Sequence, residues 1–225
     1  MAGYSMVSVD IKRNIQTVQS NVARAAAGVP VTIVGATKTV LPEVINIALD
    51  CGITDIGENR VQEYLNKRDA VKPAKWHFIG TLQTNKAKYL VGSVSLIQSI
   101  NSQVLADEIS RLAVKRGVTQ DVLIEVNAAG ESTKTGADFD TAQALTEYAQ
   151  GLNGIRVRGL MTVPPKDASD EVYRKLRNLY ETLARGKDDF NVLSVGMSGD
   201  YERAIRFGSN MVRIGSALFG ARQYM

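Results

Sequence analysis

The chain has few of the side chains from which metal sites, disulfides and membrane spans are built. Among its 225 residues there is one histidine, His77, and one cysteine, Cys51. Clustered His and Cys ligands are therefore missing and an intrachain disulfide is excluded, which suits a reducing compartment. No apolar stretch reaches about 18 residues, and the N-terminus lacks a basic segment followed by an apolar core. These absences predict a cytoplasmic protein with no metal site and no membrane partner.

Charge of one sign is also scarce. The 27 Lys and Arg residues are scattered among 23 acidic residues, giving a net charge of +4, without a basic run or interleaved aromatic side chains. Nucleic-acid binding is therefore not indicated. The sequence has no linker rich in Pro, Gly or Ser and no low-complexity segment. One domain over residues 1–225 is the simplest organisation, and a monomer is compatible with it, although the sequence leaves the oligomeric state open.

What the chain does contain is a regular alternation of apolar runs and segments with helical periodicity. Runs that predict buried strands occur at 31–36, 53–57, 76–80, 94–98, 121–127, 155–161, 191–197 and 211–214. The gaps between them have helical periodicity, and one face of an extra N-terminal helix is formed by Ile11, Ile15, Val18 and Val22. About eight such repeats in a chain of this length predict a closed (β/α)8 TIM barrel, with an open doubly wound sheet as the rival.

Lys38 stands at the end of the first predicted strand, in the segment Val31–Pro42. A lysine at the end of a buried strand is held by a rigid element and is partly desolvated, which lowers the pKa of an ammonium group. The neutral amine is a nucleophile that condenses with an aldehyde to a Schiff base. Strand-end lysines more often extend their charge to solvent or form a salt bridge, so this position alone does not decide the chemistry.

Two turns near the C-terminus have the composition of anion-binding turns. After the seventh predicted strand, Ser198 and the amides of Gly199 and Asp200 precede a short helix, where unpaired N–H groups attract an anion. After the eighth, Gly215 lets the backbone approach a ligand closely. In a TIM barrel, phosphate groups favour the loops after strands seven and eight. Ordinary capping of both helices by Ser and Asp is the alternative.

Closure of the barrel brings Lys38 next to these turns, because the first strand is then the neighbour of the eighth. Arg213 lies within the eighth strand, where an arginine needs a partner or a function. One interpretation is a salt bridge to Glu58 or Asp55 across the barrel mouth. The other is a hydrogen bond to the ring nitrogen of pyridoxal phosphate, a molecule that also has an aldehyde and a phosphate. A guanidinium would keep that nitrogen unprotonated and so weaken the ring as an electron sink.

Six stretches of the sequence resemble the pyridoxal phosphate homeostasis protein family, whose fold is similar to the N-terminal barrel of alanine racemase. In chain order they are Ala36–Glu43, Ile56–Glu63, Trp76–Lys86, Gly159–Pro165, Gly196–Asp200 and Val212–Gly220. The resemblance implies that Lys38 carries pyridoxal 5'-phosphate (PLP) as an internal aldimine and that Arg213 faces the pyridine nitrogen. It also implies a phosphate site and a pocket wall; the phosphate would be held by Ser198, Gly199, Gly215 and Ser216, and the pocket would be lined by Asn59 and Met161.

The function implied by the resemblance is PLP homeostasis, in which the protein sequesters the reactive aldehyde and delivers it to apo forms of PLP-dependent enzymes. A PLP-dependent amino-acid racemase of low activity is the alternative. Two-base racemisation uses a tyrosine from a second domain and a second subunit, and no such domain follows the last predicted strand. Tyr64, Tyr89 and Tyr201 are expected to pack on helix faces and not to act as that base. A barrel that binds phosphate without a covalent cofactor is a third hypothesis.

A few remaining positions could take part in chemistry. His77, flanked by aromatic residues in a strand, is expected to be a hydrogen-bonded structural side chain. Cys51 is expected to be a buried, inert thiol. Lys134, in a polar loop after the fifth strand, is expected to be solvated, with a role as a second amine in cofactor transfer as the alternative. Thr39 and Thr81 depart from the family pattern at the pocket rim.

Overall fold

Eight parallel strands close into a barrel in the computed structural model, which describes residues 2–128 and 136–220, with side chains from Asp10 onward. The strands are Thr32–Ala36 (β1), Asp55–Glu58 (β2), Lys75–Phe78 (β3), Leu96–Ile100 (β4), Gln120–Glu125 (β5), Ile155–Met161 (β6), Val192–Ser194 (β7) and Met211–Ile214 (β8). Each strand pairs with the next along the chain, and β8 pairs with β1, so that Arg213 stands opposite Val34. This closed order confirms the predicted barrel and excludes the open doubly wound sheet.

Helices connect most of the strands, and one helix precedes the barrel as predicted. They are Ala2–Ala26 (α1), Pro42–Asp50 (α2), Val61–Lys67 (α3), Gln103–Arg116 (α4), Phe139–Gln150 (α5), Asp170–Ala184 (α6), Tyr201–Arg206 (α7) and Ser216–Phe219 (α8). The connection between β3 and β4 differs from the expected helical repeat, because it contains a 3₁₀ helix, Thr84–Tyr89. This segment buries only Ala87 and therefore lacks the apolar face that holds a longer amphipathic helix on a barrel.

Helix α4 illustrates how local signals fix the boundaries of these elements. The Oγ of Ser102 accepts a hydrogen bond from the amide of Leu105 at 3.3 Å and caps the first turn. Gly117 ends the helix in the left-handed conformation, with φ 65°. Between these caps, Leu105, Ile109 and Leu112 recur at helical spacing and are buried. The helix thus packs against the barrel with the face that the sequence pattern predicts.

Side chains alternate between the inside and the outside of the barrel along each strand. In β8, Val212 and Ile214 belong to the apolar core shared with the helices. Met211 instead joins a smaller cluster of buried apolar residues; its other buried members are Val34, Leu96, Leu123 and Met161. Arg213 has the same parity as Met211, so it points into the barrel near the carboxyl end. A guanidinium in this position requires polar partners inside the barrel.

Candidate functional site

Lys38 is the second residue of a tight turn that follows β1. The amide of Val40 donates to the carbonyl oxygen of Thr37 at 2.9 Å and closes the turn. Thr39, the third residue, has φ 63°, a left-handed conformation that glycine or asparagine usually occupies at this turn position. Lys38 itself is partly buried. The turn therefore presents the Lys38 side chain from a defined point at the carboxyl end of β1.

A buried ionic cluster lies against this turn; its members are Lys67, Glu58 and Glu63, and it is called the Lys67 cluster below. Lys67 Nζ donates to Glu58 Oε1 at 2.7 Å, to Glu63 Oε2 at 3.0 Å and to the carbonyl oxygen of Thr37 at 2.8 Å. Burial raises the pKa of Glu58, and hydrogen bonds from Lys67 and Thr37 offset part of that rise. The cluster thus ties α3 to the residue that precedes Lys38.

The turns after β7 and β8 are hydrogen-bonded to each other through Ser198. Its Oγ accepts from the amide of Gly215 at 3.3 Å and from the amide of Ala217 at 3.1 Å. Because both contacts use oxygen lone pairs, the hydroxyl hydrogen of Ser198 can still be donated. Among the hydrogen bonds of the described residues, none uses the amides of Gly199 and Ser216. The two turns together therefore offer one hydroxyl and two amide donors to an anion.

Asp200 does not behave as the sequence predicted. Its amide donates to the carbonyl oxygen of Met197 at 3.1 Å, and its carboxylate accepts from the amide of Met197 at 2.7 Å. The carboxylate also accepts from the hydroxyl of Tyr173 at 2.8 Å. The expectation that the Asp200 amide faces a ligand is wrong, because this residue closes the turn on itself. A Cβ added to Gly199 would meet nothing within 4 Å, so the space over that residue is open.

The turn after β8 also lies beside the strand that leads to Lys38. β1 and β8 pair in parallel, with Gly35 opposite Ile214. A Cβ added to Gly215 would lie 3.6 Å from the Cβ of Ala36. Barrel closure thus brings the carboxyl end of β1 and the two C-terminal turns to one edge, as the strand order predicted.

Arg213 is held inside the barrel by neutral oxygen atoms. Its Nη1 donates to the carbonyl oxygen of Ser194 at 2.8 Å and to Ser194 Oγ at 2.6 Å, and its Nη2 donates to the carbonyl oxygen of Thr162 at 2.7 Å. Three of the five N–H groups of a guanidinium are used in this way, and two remain. Burial lowers the pKa of Arg213 to about 10, so the group is still a cation at neutral pH.

The alternative interpretation of Arg213, a salt bridge to Glu58 or Asp55, is wrong. Both carboxylates are bound elsewhere: Glu58 by Lys67, and Asp55 by His77. Within the described part of the chain, Arg213 forms no salt bridge. The reason is geometric, since the interior side of β7 supplies the Ser194 oxygens at the height of the guanidinium.

A chain of buried side chains runs from Arg213 across the barrel interior to Asp55. Ser194 Oγ donates to Gln98 Oε1 at 2.7 Å, and Gln98 Nε2 lies 2.9 Å from His77 Nδ1. Because the Gln98 amide nitrogen can only donate, His77 Nδ1 accepts, and His77 Nε2 donates to Asp55 Oδ1 at 2.9 Å. Burial raises the pKa of Asp55, but hydrogen bonds from His77 and Thr54 outweigh it, and the pKa lies below its ordinary value.

Asn59 and Met161, expected to line the pocket, differ in depth. Asn59 follows β2, and its buried Oδ1 has no hydrogen-bond partner among the described residues. Gly80 makes room for this residue, because a Cβ at Gly80 would lie 2.2 Å from the Asn59 carbonyl oxygen. Met161 is 1% exposed and packs inside the barrel. Asn59 thus offers an unsatisfied polar atom at the rim, whereas Met161 forms part of the apolar floor.

Comparison with known proteins now identifies the family. The family model described as "Alanine racemase, N-terminal domain" matches residues 9–223. A curated relative from Aquifex aeolicus, named Pyridoxal phosphate homeostasis protein, is 47% identical over 225 residues, which cover 95% of this chain and 97% of the relative. A relative of the same name from Pasteurella multocida is 35% identical over 224 residues. The chain belongs to the pyridoxal phosphate homeostasis protein family.

Two kinds of solved structure have a similar barrel. PipY of Synechococcus elongatus superposes with a TM-score of 0.84 in its form without PLP and 0.81 in its form with PLP bound. The identity is 26%, and the match covers 93% of this chain and 100% of PipY. An alanine racemase from Clostridium difficile has a TM-score of 0.73 at 16% identity, and 58% of its chain is covered. That second likeness concerns the fold alone.

The tyrosines considered for a second base have structural surroundings in this family member. The hydroxyl of Tyr64 donates to the carbonyl oxygen of Ser93 at 3.0 Å, and its ring packs edge-on against Trp76 at 5.3 Å. The hydroxyl of Tyr201 accepts from Asn21 Nδ2 at 3.0 Å. Tyr89 is 38% exposed, at the end of the 3₁₀ helix. Packing therefore accounts for Tyr64 and Tyr201, as expected.

The other positions considered for chemistry are structural or fall outside the description. His77 is buried and hydrogen-bonded on both ring nitrogens, which confirms its structural interpretation. Cys51, expected to be buried, is only partly buried just after α2. Lys134 lies outside the described residues. Residues 2–128 and 136–220 contain no group of three or more His, Cys, Asp or Glu suited to a metal ion, and none of their helices has the length and apolar character that a bilayer crossing requires.

Sequence reasoning missed three residues of this site: Lys67, Ser194 and Gln98. Lys67 had a detectable signal, because it follows Glu63 at the i, i+4 spacing of a helical ion pair. Ser194 and Gln98 had none. They are 96 positions apart and meet only because β4 and β7 face each other across the barrel.

Proposed function

We propose that this homeostasis-family protein binds PLP covalently at Lys38, sequesters it and delivers it to apo-enzymes. Relatives named for PLP homeostasis support the proposal, as does PipY, whose structure has PLP bound. The observation that carries it is the adjacency of the Lys38 turn to the donors of Ser198, Gly199 and Ser216. A cofactor with an aldehyde and a phosphate on one ring needs an amine and an anion site at the same edge of the barrel. In this proposal residues 1–225 act as one PLP-binding barrel domain.

The cofactor supplies a reactive aldehyde, and Lys38 supplies the amine. The amine adds to the aldehyde carbon, a C=N bond forms, and the carbonyl oxygen leaves as water. Hydrolysis of the C=N bond regenerates the aldehyde and the Lys38 amine, and exchange with another amine moves the cofactor to that amine. Either route releases the cofactor from Lys38 chemically unchanged, as a carrier requires. The tight turn fixes the backbone of Lys38 before the ligand arrives, and this reduces the entropy lost on binding.

The phosphate is the second point of attachment in the proposal. Ser198 retains a hydroxyl hydrogen, and the amides of Gly199 and Ser216 are not used by described acceptors. Hydrogen bonds to a charged phosphate are shorter and stronger than those between neutral groups. The amide of Gly215 already donates to Ser198, so Gly215 acts by orienting that hydroxyl. These donors fit a phosphate group.

Arg213 and Asn59 are proposed to bind the ring. Two N–H groups of Arg213 remain after its contacts to Ser194 and Thr162, and one of them can donate to the ring nitrogen. The unsatisfied Oδ1 of Asn59 identifies a side-chain amide that needs a partner at the rim. A cationic donor keeps the ring nitrogen unprotonated, which disfavours chemistry through a fully developed carbanion. A carrier therefore fits this site better than a racemase.

The covalent attachment is tested by trapping. Purified protein loaded with PLP and reduced with borohydride should have the label on the peptide that contains Lys38, and Lys38→Ala should abolish the label while the circular dichroism spectrum is retained. Lys175→Ala, at an exposed position of α6, is the matched control and should label like the unchanged protein. A fixed label on a different peptide would overturn the assignment of Lys38.

The phosphate site is tested by affinity. Ser198→Ala should weaken PLP binding by about 1 to 2 kcal/mol, the contribution of one hydrogen bond to a charged group, because the amide donors remain. Ser20→Ala, on the exposed face of α1, should leave the affinity unchanged. Pyridoxal, which lacks the phosphate, should bind poorly to all three proteins. Equal affinities for pyridoxal and PLP would show that the anion site lies elsewhere.

Carrier and enzyme are separated by exchange of the α-hydrogen. Alanine or serine incubated with the loaded protein in deuterated water should lose the α-hydrogen slowly, as followed by NMR, while PLP is transferred efficiently to an apo-enzyme. Arg213→Glu should exchange faster, because a carboxylate favours a protonated ring nitrogen. Turnover of the unchanged protein above about 1 s⁻¹, the low end of ordinary enzymes, would favour the racemase alternative.

A further inference from the structure

Both peptide groups that flank Lys38 are bound by the Lys67 cluster. On one side, Lys67 Nζ donates to the carbonyl oxygen of Thr37 at 2.8 Å. On the other side, the amide of Thr39 donates to Glu63 Oε2 at 2.8 Å. Lys67 and Glu63 are themselves joined at 3.0 Å. The Lys67–Glu63 ion pair on α3 is therefore hydrogen-bonded to the backbone on both sides of Lys38.

Glu58 connects this ion pair to the barrel wall. This residue is fully buried in β2, and its Oε1 accepts from Lys67 Nζ and from Thr37 Oγ1, each at 2.7 Å. The three hydrogens of the Lys67 ammonium are thus all used, by Glu58, Glu63 and the Thr37 carbonyl. An ammonium with three fixed acceptors has a single orientation. The Lys67 cluster therefore holds β2, α3 and the turn in fixed relative positions.

A contribution to the free energy of unfolding does not explain the Lys67 cluster well. A buried ion pair often contributes no more than apolar side chains of the same volume, because both charges lose their hydration. The turn supplies a better reason, since Thr39 has φ 63° and a β-branched residue in this region is strained. The hydrogen bond from the Thr39 amide to Glu63 holds that strained conformation. Without it, the backbone on the far side of Lys38 can relax.

We propose that Lys67 and Glu63 are positioning residues, which hold the Lys38 turn in the conformation that directs the amine at the aldehyde of the ligand. The proposal rests on the proposed function, in which Lys38 is that amine. Neither residue contacts the reacting atoms. They act through Thr37 and Thr39, and so they should affect the covalent step more than the binding of a ligand that has no aldehyde.

Two probes separate the covalent step from simple binding. PLP has the aldehyde, whereas pyridoxine 5'-phosphate has an alcohol in its place and keeps the ring and the phosphate. In Glu63→Ala, the affinity for PLP relative to pyridoxine 5'-phosphate should fall by about tenfold, the effect of releasing one strained backbone conformation. The affinity for pyridoxine 5'-phosphate should stay within about twofold, since the phosphate donors are on other strands. Borohydride trapping at Lys38 should slow in parallel.

Further variants distinguish positioning from a merely structural role. Glu63→Gln keeps a neutral acceptor for the Thr39 amide. It should therefore restore part of the affinity for PLP relative to pyridoxine 5'-phosphate that Glu63→Ala loses. Lys67→Met combined with Glu58→Gln removes the ammonium without leaving an uncompensated buried carboxylate, and it should lower the ratio as Glu63→Ala does. Glu147→Ala, at an exposed position of α5, is the control and should match the unchanged protein.

A double-mutant cycle tests the mechanism through the turn. Thr39→Gly removes the strain of the left-handed residue, so adding Glu63→Ala to it should change the probe ratio less than Glu63→Ala does alone. If Glu63→Ala lowers the affinities for PLP and pyridoxine 5'-phosphate equally, or leaves their ratio unchanged while trapping still occurs at Lys38, the positioning role is overturned but the proposed function is not. If the unchanged protein is not trapped at Lys38 at all, the proposed function fails first and this inference fails with it.

Discussion

Lys67 and Arg213 are both buried cations, but their side chains are held in opposite ways. Lys67, beneath the Lys38 turn, is bound by the carboxylates of Glu58 and Glu63 and by one carbonyl oxygen. The contacts of the Arg213 side chain, in β8, within residues 2–128 and 136–220 are to the uncharged oxygens of Ser194 and Thr162. Both are nearly inaccessible, with 9% and 4% of their surface exposed, so burial does not explain the difference.

The two cations differ in whether their charge is already neutralised by neighbouring carboxylates. The positive charge of Lys67 is neutralised by the carboxylates it contacts, and all three of its donors are engaged, so it can only organise its surroundings. Among the described residues Arg213 contacts no carboxylate and uses three of its five donors, so its charge is available to a ligand in the proposed function. Lowering of the Arg213 pKa to about 10 by burial reflects the absence of such a partner. The contrast fits the two proposed roles, in which Lys67 positions the Lys38 turn and Arg213 binds the ligand.

The largest effect is expected from Lys67→Met. This change leaves Glu58 fully buried without its cation, and it should lower the free energy of unfolding of the ligand-free protein by about 3 to 5 kcal/mol in urea titrations. Adding Glu58→Gln should recover most of the loss, because the buried charge is then removed. If the single and double variants are equally unstable, the carboxylate is not what makes the loss large.

Arg213→Met should have a smaller effect on stability. It leaves only neutral acceptors unsatisfied, at Ser194 and Thr162, and the expected loss in the same urea titration is about 1 to 3 kcal/mol. Ligand binding should suffer more than folding, which is the reverse of the expectation for an organising cation. A loss of stability at least as great as that of Lys67→Met would erase the contrast between the two cations.

Asp55→Asn tests the far end of the chain of hydrogen bonds that starts at Arg213. The carboxylate accepts from His77 and Thr54, and the amide replaces only part of this, so we expect a loss of about 1 kcal/mol at pH 7. The pKa of Asp55 is lowered in the folded state despite its burial, so its contribution is present above the ordinary aspartate value of about 3.9. That contribution disappears as the pH falls through the lower folded-state pKa.

The pH series is the control for this assignment. The stability difference between the unchanged protein and Asp55→Asn should be constant from pH 7 down to about 5 and should shrink below about 4. A nitrogen NMR spectrum of the single histidine should meanwhile show the proton on Nε2, the tautomer that Gln98 imposes. A proton on Nδ1 would contradict the direction assigned to the hydrogen bonds.

Lys72→Met should have the smallest effect, and it calibrates the scale. Lys72 Nζ lies 2.5 Å from Asp50 Oδ1, but both side chains are more than half exposed, at 52% and 59%. Exposed ion pairs contribute little, so the change in unfolding free energy should be about 0.5 kcal/mol or less and should decrease further in high salt. A loss comparable to that of Lys67→Met would mean that burial is not what distinguishes the cations.

Much of the scaffold of the site could be predicted, because it depends on order along the chain. The eight apolar runs place Lys38 after β1 and Gly215 after β8, and barrel closure makes those positions neighbours. Apart from the 3₁₀ helix between β3 and β4, the errors concern single hydrogen bonds. The Asp200 amide closes its own turn, and Arg213 takes oxygens from Ser194 in place of a carboxylate. Such choices depend on distances of a few tenths of an ångström, which periodicity does not encode.

The sequence by itself determined the alternation of strands and helices, the face that each helix buries, and the turns in which Lys38, Ser198 and Gly215 stand. These features follow from local periodicity and from the backbone preferences of single residues. Only the tertiary structure decided which buried polar groups meet, as Lys67 meets Glu58 and Ser194 meets Gln98. Hydrogen bonds act over about 3 Å and in fixed directions, so they are settled by strand register and side-chain direction after the barrel has closed.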